Sequence, residues 1–467
     1  MFDYNDLNLK IGLEIHQQLS NKKLFCNCST KFQEKNLDSE FSRKLRAVAG
    51  EQGYVDVAAA FEEAKHREFV YHGYKDEYCL VDCDDDPPHE INQDALLTAL
   101  SVAKLFKMNA PDEIQVMRKI IADGSACSSF QRTMLIGLGT KDSFIETTQG
   151  NVRITSLCLE EDACKIEKVH DNRIHYSLSR QGIPLLEIRT EPDIKTPEQA
   201  KEAAEQIGLL LRSFSSILRG IGTIRQDVNL SIKNGNRIEI KGFQELRMMP
   251  KTIDFEISRQ INIIKQGKNV EKEVRKANDN GTTSFLRPLP GAARMYPDTD
   301  IKTISVNKEL LNEVKIPELI TDKIIKLQKK HNLSHELASQ IIKENIDFEG
   351  YASKFKKIYS GLLATLLINY SKDKKGHLEF VLQNLNSGRI TKDVIDSVMM
   401  NLRMNKKVNL EQFKSVNYSE IENEIQELIK KKPELSTNAV MGILMGKYRG
   451  RVDGKKLIEI INKLSTK

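Results

Sequence analysis

The stretch Asp227-Val-Asn-Leu-Ser-Ile-Lys-Asn-Gly-Asn-Arg-Ile-Glu-Ile-Lys241 decides the fold. Polar and apolar residues alternate on both sides of an Asn-Gly turn signal, which is the period of a strand and not of a helix. Asp227, Asn229 and Ser231 share one face of the first strand, with Val228, Leu230 and Ile232 on the other; the second sets Arg237, Glu239 and Lys241 against Ile238 and Ile240. Opposed residues of an antiparallel pair share a face, so a two-residue loop would pair Leu230 with Glu239 and mix the faces. A three-residue loop, Lys233 to Gly235 with Gly235 left-handed, restores the match. It opposes Asn229 to Glu239 and Asp227 to Lys241, giving a sheet with one charged and one apolar face.

Further strands are expected at Val152–Leu159 and Ile183–Arg189, and a helix at Pro197–Leu211 with Thr196 as its N-cap and Pro197 in its first position. From Leu7 to about Thr299 strand and helix signals mix, and most glycines lie there. Beyond Val306 glycine is sparse and Lys, Leu, Ile and Glu recur at helical spacing. The fold class is therefore α+β. A mainly antiparallel sheet domain over residues 1–299 precedes an all-α domain over 300–404 and a small helical tail over 405–467.

The 467 residues are 40% apolar and 29% charged, which excludes a disordered or fibrous chain. No run of about 18 apolar residues exists, and Met1-Phe2-Asp3-Tyr4 lacks the start of a signal peptide, so a soluble, cytoplasmic protein is expected. Net charge is +6, and Arg403–Lys467 alone holds 14 Lys and Arg against 8 Asp and Glu. A basic appendage on a balanced body suits a polyanion, although a lysine-rich solvated surface has the same composition.

Carboxylates gather at the strands. Glu14 and His16 share a face in Ile11-Gly-Leu-Glu-Ile-His16, Leu157-Cys-Leu-Glu-Glu-Asp162 ends in three acids, and Glu187 sits in the apolar run Pro184–Thr190. Buried carboxylates are rare unless paired or metal-bound. Such a set suits a hard cation with oxygen ligands, as in Mg²⁺-assisted phosphoryl transfer, while acids on a solvent face are the ordinary alternative. No G-x-x-x-x-G-K-[ST] is present, so a P-loop is excluded. Arg219-Gly-Ile-Gly-Thr-Ile-Arg225 reads either as an anion grip beside the acidic strand or as a tight turn with surface arginines. Cys26-x-Cys28 and Cys79-x₃-Cys83 would offer Zn²⁺ four thiolates if folding joined them; otherwise they are buried reduced thiols. Lys447-Tyr-Arg-Gly-Arg451 and Lys455 sit at a helix break and would grip polyphosphate without reading bases.

Leu9–Leu24, Arg118–Thr133, Cys158–Asp162, Gly182–Asp193, Arg219–Leu246 and Leu286–Asp300 together resemble the GatE subunits of the archaeal glutamyl-tRNA(Gln) amidotransferases, relatives of the bacterial-type GatB subunits. Gly442–Gly454 resembles the family's small tRNA-contacting domain. The resemblance implies a cradle-like catalytic domain that uses ATP and Mg²⁺ to phosphorylate the side chain of glutamate esterified to tRNA(Gln). Ammonia from an asparaginase-like partner subunit then displaces phosphate, in a heterodimer that assembles to a heterotetramer. It implies a metal and catalytic set of Glu14, His16, Glu161 and Glu187 facing Asp227 and Glu239. Arg225, Lys241 and Arg294 would stabilise the phosphate or acyl phosphate, and Lys447, Arg449, Arg451 and Lys455 would contact tRNA. Zinc at Cys26, Cys28, Cys79 and Cys83 follows some GatB chains. Known GatE chains carry an inserted domain where this chain has only Glu271–Asn280. The rival readings are a bacterial-type GatB, acting on Glu-tRNA(Gln) or Asp-tRNA(Asn), and a non-catalytic tRNA-binding scaffold.

Overall fold

The computed structural model describes the chain except residues 1, 50–52, 244, 292–294, 407, 411–417, 433–434, 449–451, 453 and 466–467, and except the side chains of 418–419, 455–456 and 465. It forms two compact units, Met1–Leu319 and Ile320–Lys467. The class is α+β: sheets fill the first unit, and the second contains helices and no strand among its described residues.

In chain order the first strands are β1 (Lys10–Gln18), β2 (Leu37–Arg43), β3 (Glu68–Tyr74), β4 (Glu113–Ile114), β5 (Val116–Ile120) and β6 (Phe130–Leu138). Next come β7 (Phe144–Thr147), β8 (Gly150–Glu161), β9 (Lys165–His170), β10 (Arg173–Ser177) and β11 (Pro184–Thr190). The last are β12 (Ile224–Ser231), β13 (Ile238–Phe243), β14 (Glu273–Ala277), β15 (Thr283–Pro288), β16 (Met295–Pro297) and β17 (Ile304–Ser305). The main sheet runs β15-β14-β13-β12-β1-β11-β8-β6-β5-β16 with β7 added on β8; a second sheet runs β2-β3-β10-β9, and β17 pairs β4. Among the described residues, only β13–β14 and β3–β10 pair in parallel.

The deciding hairpin takes the expected register over residues 228–230, with Asn229 opposite Glu239 and Leu230 opposite Ile238, but a bulge between Gln226 and Val228 shifts it there, so Asp227 is not paired with Lys241 as expected. The turn differs in detail. Asn234, at φ 63°, is the left-handed residue, and Gly235 is not. Asparagine tolerates that region, whereas glycine at 235 answers a steric demand: a Cβ there would lie 2.2 Å from Gln260 Oε1.

The short helix α1 (Val57–Glu63) stands beside β15, while α2 (Gln93–Leu105), α3 (Pro197–Leu211) and α4 (Met249–Lys265) cover the apolar face of the main sheet. The α3 bounds are those expected, and Thr196 Oγ1 accepts from Gln199 N–H at 3.1 Å. Ile11, Leu13 and Ile15 of β1, Leu186 and Ile188 of β11, and Val228 and Leu230 of β12 are buried against the helices. Burial of each such side chain is worth about 1.5–3 kcal/mol.

Chain connectivity curls the sheet. Pro288 ends β15 at one edge and Met295 begins β16 at the other. The seven steps between them span at most about 25 Å, while ten flat strands would hold their edges about 43 Å apart. The sheet bends so that its charged face lines the concavity. Gly291 N–H donates to Asp56 Oδ2 at 2.7 Å, and Asp56 Oδ1 caps α1 through Ala58 N–H.

In the second unit the helices Tyr418–Lys431, Thr437–Tyr448 and Gly454–Ser465 close on a core of their own, with Ile421, Ile425, Val440, Leu444, Leu457 and Ile461 buried. No helix of the described residues is long and apolar enough to cross a membrane. Leu186→Ala should cost about 2–5 kcal/mol, read as a lower denaturant midpoint with an unchanged slope.

Candidate active site

The register of β1 assembles the site. Glu14 lies opposite Arg189 of β11 and Asp227 of β12, and His16 lies opposite Glu187 of β11 and Arg225 of β12. Across the same face β13 adds Glu239 and Lys241, β8 adds Cys158 and Glu160, and β5 adds Lys119; together they line a cleft of 880 Å³. Ligand-type atoms of Glu14, His16 and Glu187 lie within 4.8 Å of one another, and so do those of Glu14, Asp227 and Glu239. Glu14 is the shared corner of two oxygen-rich triads.

Cations thread between the acids. Arg189 reaches Glu14 at 3.2 Å and Glu187 at 2.7 Å, and Lys241 bridges Asp227 at 2.9 Å and Glu239 at 2.6 Å. Lys119 donates to Glu160 at 2.7 Å, and His16 Nε2 is 3.3 Å from Glu187. Burial opposes the charge of Glu187, yet Lys119 and His16 hold its carboxyl far below the usual range. Asp227 is lowered likewise, by Lys241 and His16 against burial. Glu14 goes the other way. Burial first, then the neighbouring Glu187 and Glu239, push its carboxyl up. A carboxylate repelled from two sides at the junction of two triads is where an added cation would relieve most. The donor set, four carboxylates and one imidazole across the two triads, fits a hard divalent ion.

The structure thus brings Glu14, His16, Glu187, Asp227, Glu239, Arg225 and Lys241 to one cleft. Glu161 is a correction: strand alternation turns it to the other face, where it accepts from Arg132 N–H at 3.2 Å, beside the buried Asp298. Glu160 takes the place expected of it, fixed by Lys119, by Thr133 Oγ1 at 2.7 Å and by Gln131 at 3.1 Å. Arg225 is tied to the buried Asp162 at 2.7 Å, whereas Arg219 is exposed and donates to Arg212 O at 3.2 Å. Lys119 and Arg189 are absent from the sequence-based set, although alternation along β5 and β11 carries a signal for both. Arg294, Arg449 and Arg451 lie outside the described residues, as does the side chain of Lys455, and Lys447 is paired to Glu424 at 2.7 Å.

The thiols assemble differently from expectation. Cys26, Cys28 and Cys79 converge, but the fourth ligand atom in reach is a carboxylate oxygen of Asp82 and not the thiol of Cys83. Asp82 Oδ2 accepts from Cys79 N–H at 3.2 Å, which folds the turn so that Cys83 points into a core with Phe69, Tyr71 and Cys127. Hydrogen bonds from the Cys26 and Cys28 thiols hold the Cys79 thiol far below its ordinary value. Beside them Lys23, 0% exposed, donates to Asp82 at 2.8 Å and to Leu178 O at 3.0 Å.

Set against known proteins, a chain with a sheet-cradled acidic cleft of this kind finds its class: residues 9–312 match the GatB/GatE catalytic domain. The chain is 34% identical over 629 residues to the glutamyl-tRNA(Gln) amidotransferase GatE subunit of Methanococcus maripaludis (strain C7), covering 99% of each chain. It is 33% identical over 625 residues to that of Methanocaldococcus jannaschii and 34% over 614 to that of Archaeoglobus fulgidus, again across 99% of each. The chain belongs to the GatE branch of the GatB/GatE amidotransferase family, and is an enzyme of that family. The 629-residue alignment exceeds the 467 residues of this chain, so the relative carries internal segments that are missing here.

Lys23→Met should leave the Asp82 carboxylate buried without its counter-ion, at a cost of about 3–5 kcal/mol. Equilibrium unfolding checks this.

Proposed function

We propose that this chain is the kinase and transamidase component that converts Glu-tRNA(Gln) to Gln-tRNA(Gln), in the cytoplasm, with ammonia supplied by an asparaginase-like partner subunit in a heterodimer or heterotetramer. The observation that carries the reading is the pair of oxygen-rich triads sharing Glu14 in a cleft flanked by Lys119, Arg189, Arg225 and Lys241. The chemistry belongs to residues 1–299, with the helical region 300–404 and the basic tail 405–467 holding the tRNA body.

A carboxylate is a poor acyl donor because oxide is a poor leaving group. In the proposed sequence a glutamyl side-chain oxygen attacks the γ-phosphorus of ATP and the bond to the β-phosphate oxygen breaks, releasing ADP. Ammonia then attacks the acyl carbon, the carbon–oxygen bond to phosphate breaks, and the nitrogen gives up a proton. No enzyme nucleophile is needed. Glu14, His16, Glu187, Asp227 and Glu239 would hold Mg²⁺, which when bound neutralises phosphate charge and polarises the phosphoryl group. Arg225 and Lys241 orient the anionic groups, Lys241 by moving from its two carboxylates to the phosphate. Zn²⁺ at Cys26, Cys28, Cys79 and Asp82 would be structural, since the thiols do not line the cleft.

Glu-tRNA-dependent ATP hydrolysis tests the site. Glu187→Gln or Asp227→Asn should lower it about 100-fold or more, while Glu161→Gln should stay within about threefold; equal rates for wild type and Glu187→Gln would end the proposal. Replacing Lys447, Arg449, Arg451 and Lys455 together should weaken tRNA binding and flatten its salt dependence by up to about four phosphate contacts, measured by filter binding across a salt series. For zinc, Cys79→Ser should lose the metal by elemental analysis of purified protein and Cys83→Ser should keep it.

A further inference from the structure

The rim of the cleft carries side chains that the acidic floor does not use. On β15, the edge strand of the main sheet, Phe285 lies opposite Arg275 and Arg287 opposite Val274, so Leu286 is the extra residue of a bulge. Neighbours on a regular strand point to opposite faces. A bulge re-aims them, and here Leu286 and Arg287 both line the cleft, whereas Phe285 stands outside the lining, beside Phe61 of α1. Large apolar side chains are left in solvent at the two ends of the link between β15 and β16: Phe285 is 51% exposed, Leu286 43% and Met295 46%.

Phe285 is held but not covered. Its ring meets that of Phe61 at 90° with centroids 6.0 Å apart, and a perpendicular pair occupies at most one face of either ring. Lys65 Nζ lies 4.3 Å from the Phe61 centroid and pairs with Glu62 at 2.7 Å, which fixes the buttress from behind. Two residues along the strand, the Arg287 guanidinium has no hydrogen-bond or ion-pair partner among the described residues. Arg189 and Arg225, which line the same cleft, are instead tied to Glu187 and Asp162. An open aromatic face beside an unpaired guanidinium offers a stacking surface and a phosphate contact one after the other. The repeat unit of single-stranded nucleic acid, a base face and a phosphodiester, matches that order.

We propose that Phe285 stacks an unpaired base of the tRNA 3′ end and that Arg287 holds the adjoining phosphate, so that the ester-linked amino acid passes over Leu286 and Met295 to the acidic floor. The inference rests on the reading of Glu-tRNA(Gln) as substrate and says where that substrate enters. ATP is the other molecule with a base to stack. Its reacting phosphates belong on the floor, and Phe285 is outside the lining of the 880 Å³ cleft, so the ring is assigned to the tRNA strand. Stacking accepts every base. Phe285 is therefore a positioning residue for the 3′ end and does not choose among tRNAs.

The chain contains no tryptophan, so Phe285→Trp places a single fluorophore at the platform and keeps its stacking surface. Uncharged tRNA(Gln) added to this full-length variant should quench the emission. The same tRNA lacking its unpaired 3′ nucleotides should bind without quenching, and ATP alone should leave the emission unchanged. In the complete amidotransferase, Phe285→Ala should raise the KM for Glu-tRNA(Gln) about 5–150-fold with the KM for ATP unmoved, while Phe285→Tyr stays near wild type. Far-ultraviolet circular dichroism should show the variants equally folded. Binding of tRNA to Phe285→Trp without a quench that depends on the 3′ end, a quench by ATP alone, or an unmoved KM in folded Phe285→Ala would overturn the platform and leave the proposed function standing. Failure of the wild-type chain to bind tRNA would overturn both.

Discussion

Everything at the cleft follows from β1 being a central strand with β11 and β12 antiparallel on either side. Period two then permits only one distribution. Ile11, Leu13 and Ile15 go to the helices, and Gly12, Glu14 and His16 go to the cleft. A slip of one residue would exchange the two sets, burying two ionisable groups under α3 and exposing three aliphatic ones. The same register brings Glu187 and Asp227 to flank β1 from opposite sides, so residues far apart in sequence meet through backbone pairing alone.

The acids are held close at an electrostatic cost that the fold offsets locally. Lys241 answers Asp227 and Glu239, Arg189 answers Glu187, and Lys119 answers Glu160. Glu14 keeps the longest of these contacts, to Arg189 at 3.2 Å. Cations and acids thus balance one another across the floor of the cleft.

Much of this is legible from local pattern. Alternation in 227–241 carries the hairpin face and register, and the Thr196-Pro197 signal places α3 to the residue. Glu187 stands out as an acid in an otherwise apolar strand, and Glu14, His16, Asp227 and Glu239 as acids or an imidazole on the polar face of alternating strands. What escapes is set by tertiary register. Three consecutive acids at 160–162 look alike in sequence; only the pairing of Glu187 with Cys158 decides that 160 and 162 face the cleft and 161 does not. Asp82 escapes because a turn, not a cysteine spacing, places it beside the thiols.

The short link from Pro288 to Met295 makes the main sheet behave as a bow with a string of fixed length. The number of residues in that link limits how far apart the two limbs can stand, and so the width of the opening between them. In a protein of this build, each residue removed there would lower that bound by about 3.6 Å without touching a single side chain on the floor. The upper limit of the opening is thereby written into the length of a connection and not into its chemistry.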